Sequence, residues 1–119
     1  MVAVSDGKVI ASAGLFPNEV VRRRHACSLG ISVVSRAHGQ GVGTTLMARL
    51  TEFADKWTTY LRIELTVFSD NKAAISLYER FGFQREGVHR GYGLRHGRFQ
   101  DVITMARLHP DPPRLAVEA

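Results

Sequence analysis

Six consecutive residues, His38-Gly39-Gln40-Gly41-Val42-Gly43, stand between an apolar run at 29–34 and a helical pattern at 43–57. A strand that ends in clustered glycines and opens straight into a helix presents unpaired backbone N–H groups at the positive end of that helix. Such an end seats phosphate, and glycines let the backbone come close to it. Downstream, Asn71 is followed by Ala74, Tyr78, Gly82 and Phe83. A phenol can give up a proton in a buried site, and an asparagine can cap a helix or hydrogen-bond an amide-rich ligand.

These residues need elements to hold them. Residues 9–16 are β-compatible, and 2–4 can pair with them as a hairpin across Asp6-Gly7-Lys8. Residues 24–34 read as a longer strand in which Gly30 marks a bulge or a close backbone approach. In 43–57, Leu46, Leu50, Phe53 and Trp57 fall at i, i+4, i+7 and i+11, and Met47 and Ala54 widen the stripe, so an amphipathic helix is predicted. Residues 61–68 alternate as a strand. Residues 71–81 form a short helix with Asn71 as N-cap and Gly82 as its stop. Strands at 86–94 and 99–108 flank the turn Arg95-His96-Gly97-Arg98, and 109–119 is a flexible tail. The order β-β-β-α-β-α-β-β predicts an α+β domain: a mixed, mostly antiparallel sheet with packed helices, over residues 1–108.

Two well-known phosphate loops do not fit. A nucleotide-triphosphate loop ends in Gly-Lys-Ser/Thr, whereas this chain has Gly43-Thr44-Thr45. A dinucleotide fingerprint needs G-x-G-x-x-G at the start of a parallel sheet. Here the spacing is G-x-G-x-G, and antiparallel strands precede it.

The whole pattern resembles the GCN5-related N-acetyltransferase (GNAT) superfamily. His38-Gly39-Gln40-Gly41-Val42-Gly43 is similar to its Gln/Arg-x-x-Gly-x-Gly/Ala motif, with His38 in place of Gln or Arg. Asn71, Ala74, Tyr78, Gly82 and Phe83 match its Asn-x-x-Ala-x-x-x-Tyr-x-x-x-Gly-Phe element. Residues 62–68, 81–83, 97–102 and 105–108 look like the bacterial L-amino-acid N-acetyltransferase subgroup, a match that protein N-terminal acetyltransferases partly share.

The resemblance implies direct acetyl transfer from acetyl-CoA to an amine. The amides of Gln40, Gly41, Val42, Gly43 and Thr44 would hold the pyrophosphate, with His38 and Gly39 also cofactor-binding as the start of the motif. Backbone groups of Val33 and Val34 would pair with the pantetheine arm, one N–H holding the thioester oxygen. Asn71 and Ala74 would border the arm, and Tyr78 would be the general acid toward the departing thiolate. The base is open: Glu64 is a candidate relay through water or else a structural ion pair, and His25 is a weaker candidate. His38 would make any side-chain charge at the pyrophosphate pH-dependent.

Bulk properties narrow the rest. The chain has 119 residues, 45% apolar and 23% charged, which is one small globular domain. No apolar run approaches the about 20 residues of a membrane span, and no signal peptide is visible, so a cytoplasmic location is expected. The net charge of +5 suits a phosphorylated co-substrate. Arg22-Arg23-Arg24-His25 reads as a solvated loop, and nucleic acid is not the expected partner. Cys27 is a small buried hydrophobe, and the histidines lack metal-ligand spacing, so no metal is expected. GNAT domains normally start with a strand and two helices ahead of this chain's first residue. The expectation is a shortened domain that self-associates as a homodimer, or a longer natural chain. The expected activity is acetylation of a small-molecule primary amine, an amino acid first. Protein N-terminal or lysine acetylation and a non-catalytic CoA-binding module are the alternatives.

Overall fold

The computed structural model describes residues 1–116. β1 (Val2–Ser5) and β2 (Lys8–Pro17) form an antiparallel hairpin. Its turn residues Asp6 and Gly7 have φ of 50° and 74°, the left-handed values a tight two-residue turn requires. β3 (Ala26–Val33) follows, then α1 (Val42–Trp57), β4 (Arg62–Phe68), α2 (Lys72–Arg80), β5 (Gln84–Arg95) and β6 (Arg98–Leu108). The element order and type agree with those expected. The strands make one sheet in the order β1-β2-β3-β4-β6-β5. Only β3 and β4 run parallel, because α1 carries the chain back between them.

Both helices pack on one face. Leu46, Met47, Leu50 and Ala54 of α1 and Ile75 and Tyr78 of α2 meet Ala11, Ala13, Cys27, Leu29, Ile63, Leu65, Val67, Ile103 and Met105 in one core. The strand members of this set alternate in sequence, as period two demands. The opposite face shows Ser12, Phe16, Ser28, Ser32 and Thr66 to solvent.

Two expectations are corrected and one alternative is resolved. Phe53 and Trp57 are 52% and 77% exposed, so they are not in the buried stripe. α1 is turned toward Met47, Thr51 and Ala54, whose smaller members let it lie close to the sheet. Buried Thr51 satisfies its hydroxyl by donating to Met47 O at 2.8 Å. β3 starts at Ala26 rather than 24, since Val21–Arg23 forms a solvent-exposed 3-10 turn. Gly30 makes no bulge but pairs regularly with Gly14, and a Cβ there would lie 3.2 Å from the Phe16 ring, so the close-approach reading holds.

The end of β6 is tied down. His109, assigned by sequence to the tail, donates its backbone N–H to Leu61 O at 2.8 Å, and its ring meets Asp55 O at 3.1 Å. The last tail residues, 117–119, lie outside the described residues. No described helix is long and apolar enough to cross a membrane.

Candidate active site

β3 and β4 pair only at Ala26↔Arg62, Cys27↔Ile63 and Ser28↔Glu64, then diverge. The free edge of β3 follows from its other neighbour. Val34 N–H donates to Ile10 O at 2.9 Å and Asn18 N–H to Ala26 O at 3.3 Å. Antiparallel bonding alternates, so the even-numbered residues of β3 bond β2. The odd ones, Ile31 and Val33 among them, turn their N–H and C=O toward β4, which has moved away. The result is a wedge whose wall is a strand edge that β4 leaves unpaired, Val33 O alone being taken by the His38 ring. An amide-bearing chain can add to such an edge as a strand would.

The wide end of the wedge leads to α1. Gly41 is its N-cap with φ 77° and has no side chain to cap the helix, and no acidic residue sits in the first turn. Thr45 N–H is the first to bond within the helix, to Gly41 O at 3.0 Å. The amides of Val42, Gly43 and Thr44 before it are free for an anion, whereas the His38 amide expected beside them is spent on Ser35 O at 3.1 Å. Gly43 lies close under α2: a Cβ there would stand 3.1 Å from Leu77 Cδ2, so that methyl would have to give by a few tenths of an ångström. Arg80 reaches over the same end, its Nη2 3.5 Å from Thr44 Oγ1. His38 points elsewhere: its Nε2–H donates to Val33 O at 2.8 Å, tying the loop to the end of β3.

α2 supplies the far wall. Asn71 caps it, its side-chain oxygen accepting from Ala74 N–H at 3.2 Å, which leaves the side-chain NH₂ free. Tyr78 is 8% exposed and packs against Phe83 with centroids 5.9 Å apart. Burial pushes its phenol above the ordinary value, so it stays protonated at neutral pH. Gly82, at φ 90°, ends the helix as its composition suggested.

An open cleft of about 740 Å³ joins these parts. It is lined by Val33, His38, Gly39, Gly41, Val42, Gly43, Thr44, Asn71, Ala74 and Tyr78 among the expected residues, together with Ile31 and Arg80. Gln40, Val34 and Glu64 are not in its lining. Gln40 donates its side-chain amide to Arg36 O at 3.2 Å. Val34 has spent both backbone groups, its N–H on Ile10 and its C=O on Ala37 N–H at 2.9 Å, so the arm-pairing role expected of it is not available. Glu64 lies on the face away from the helices, where Arg23 Nη2 at 2.6 Å and Arg62 Nε at 2.8 Å both donate to it. Hydrogen bonding from Arg23, then Arg62, holds its carboxyl below the ordinary range despite desolvation. That makes it a weak base and a well-formed anion. His25 lies outside the cleft, its carbonyl accepting Leu61 N–H at 2.7 Å just before β3. Burial, then the nearby Glu64 charge, pushes the Cys27 thiol up to about 11, so it remains inert.

Of the cleft residues that went unread in the sequence, Ile31 and Arg80 bring groups that can bind a ligand. Ile31 needed the pairing parity of β3. Arg80 stands i+3 from Leu77 on one face of α2, but only the tertiary structure shows that this face looks across at α1.

The profile of the acetyltransferase (GNAT) family matches residues 1–83. The chain belongs to the GNAT acetyltransferase family. An L-amino acid N-acetyltransferase of Escherichia coli (strain K12) is 41% identical over 108 residues, covering 91% of this chain and 67% of that protein. A ribosomal-protein alanine N-acetyltransferase of the same organism is 29% identical over 106 residues, covering 89% of this chain and 55% of that one. The crystal structure of a GNAT acetyltransferase from Streptococcus pneumoniae superposes with a TM-score of 0.84 at 31% identity, covering 90% of this chain and 64% of the other. This chain thus spans roughly half to two thirds of the length of these relatives.

Proposed function

We propose that this chain carries the acetyl-CoA site and transfer centre of an N-acetyltransferase whose acceptor is the primary amine of a small molecule, an amino acid. The observation that carries the reading is the wedge. One strand edge is free, an uncapped glycine-rich helix end lies at its mouth, and a protonated tyrosine stands in its wall. The similar L-amino acid N-acetyltransferase supports the choice of acceptor.

The parts have separate tasks. The free amides of α1, with Arg80 beside them, bind the pyrophosphate. The odd-residue edge of β3 pairs with the pantetheine arm, and the side-chain NH₂ of Asn71 reaches it from α2. The acetyl group then lies toward the narrow end, where Ile31 N–H is the nearest free donor on that edge. As the amine attacks the carbonyl carbon, the oxygen gains charge and this N–H stabilises it. The C–S bond breaks, and Tyr78 gives its proton to the leaving thiolate. Water carries the proton lost by the amine, since Glu64 is held as an anion by its arginines.

The test couples calorimetric binding of CoA to thiol release from acetyl-CoA with L-phenylalanine, L-methionine and an alanine-initiated peptide as acceptors. The peptide is included because the second relative is named for that acceptor. Tyr78→Phe is expected to bind CoA normally and to lower kcat about 100-fold. Failure to bind CoA, or turnover indifferent to Tyr78→Phe, would overturn the reading.

A further inference from the structure

Glu64 sits where β3 and β4 last touch, in the row Ser28↔Glu64, with its side chain on the helix-free face. It belongs to a line of four charges, Arg23–Glu64–Arg62–Glu86. Arg62 has every nitrogen engaged: Nε goes to Glu64, and Nη1 and Nη2 go to the two oxygens of Glu86. Arg23 is not, because Nη2 alone is engaged, to Glu64 Oε2 at 2.6 Å. Both arginines use that same Oε2, and Oε1 accepts from no described residue. Arg23 rises from the 3-10 turn Val21–Arg23, which buries no residue, and its side chain is 44% exposed.

An unspent carboxylate oxygen thus stands beside an unspent guanidinium edge, next to the narrow end of the wedge. Two arginines and two glutamates cancel, so the line offers no surplus anion to a polyamine. A molecule carrying one ammonium and one carboxylate can meet both free ends without breaking the existing pair. Resting on the transfer reading above, we propose that Glu64 Oε1 receives the acceptor's ammonium and that Arg23 receives its carboxylate. The pair thereby selects free α-amino acids over amines that lack the acid group. Glu64 is here a positioning residue, and Arg23 sets specificity by a planar charge-assisted contact.

The test compares kcat/KM for L-phenylalanine, L-phenylalaninamide and 2-phenylethylamine in the wild type, Arg23→Gln and Arg23→Lys, with CoA binding followed by calorimetry. The wild type is expected to favour the free acid over the amide by at least about tenfold. In Arg23→Gln that ratio falls toward one, and in Arg23→Lys part of it returns. A ratio in Arg23→Gln equal to the wild type's overturns the inference while the transfer reading stands, as does an equal loss for all three amines. CoA binding with transfer to none of the three overturns both.

Discussion

Asp55–Arg107 and Glu64–Arg23 are the same chemical pair on opposite faces of one sheet. Beneath the helices, Arg107 spends every arm of its guanidinium. Nη1 and Nη2 meet the two oxygens of Asp55 at 2.9 and 2.6 Å, and Nε donates to Phe81 O at 3.0 Å. Its side chain is 10% exposed. It ties α1, β6 and the end of α2 together. On the other face Arg23 makes one contact from an exposed turn. A cation with every nitrogen engaged holds a fold, whereas one with nitrogens to spare can meet a ligand. The count of unspent hydrogen-bonding groups separates the two roles, and the residue types do not.

The contrast is sharpest in stability. Asp55→Asn leaves Arg107 without its anion in a half-closed site, and a loss of about 2–3 kcal/mol is expected in urea melts at neutral pH. Hydrogen bonding from Arg107 holds the Asp55 carboxyl below its ordinary range. Folding therefore favours the ionised form. The contribution is fully present above the unfolded value of about 3.9 and is lost as pH falls through the folded one. Wild-type melts should weaken in that acid window, and Asp55→Asn should flatten the dependence. An equal acid slope in the variant would break the comparison.

The next effect concerns the cleft rather than either face. Arg80→Ala should raise KM for acetyl-CoA about tenfold while kcat changes little, since a charge-assisted contact to a bound phosphate acts alike in ground and transition states. A fall in kcat with KM constant would place Arg80 nearer the chemistry. The smallest effect tests the helix itself. Trp57→Ser should move stability by no more than about 0.5 kcal/mol, as suits an exposed side chain. A loss of several times that in thermal or urea denaturation would return Trp57 to the core stripe.

Legibility followed the range of the interactions. The turn at Asp6-Gly7, the Asn71 cap and the Gly82 stop were visible because each is set by neighbouring backbone angles and one local hydrogen bond. Alternation at Ile63, Leu65 and Val67 marked β4, because a strand with one covered face repeats every two residues. The stripe through Phe53 and Trp57 misled. Periodicity reports which face is apolar, while the size of Thr51 and Ala54 decided which part of that face approaches the sheet. His38 was legible as a substitution within the glycine motif, but its bond to Val33 O was not, since both partners had to be folded into place first.

The sequence by itself determined the order of elements, the glycine-rich helix entry, Asn71 and Tyr78, and through them the GNAT family. Each depends on residue type at fixed local spacing. The tertiary structure alone decided that β3 and β4 part after Ser28↔Glu64, which amides of β3 are left free, and that Val34 is spent. It also brought Arg80 over α1 and Arg23 beside Glu64. These are contacts between segments distant along the chain, where pairing parity and donor saturation exist only once the sheet has formed.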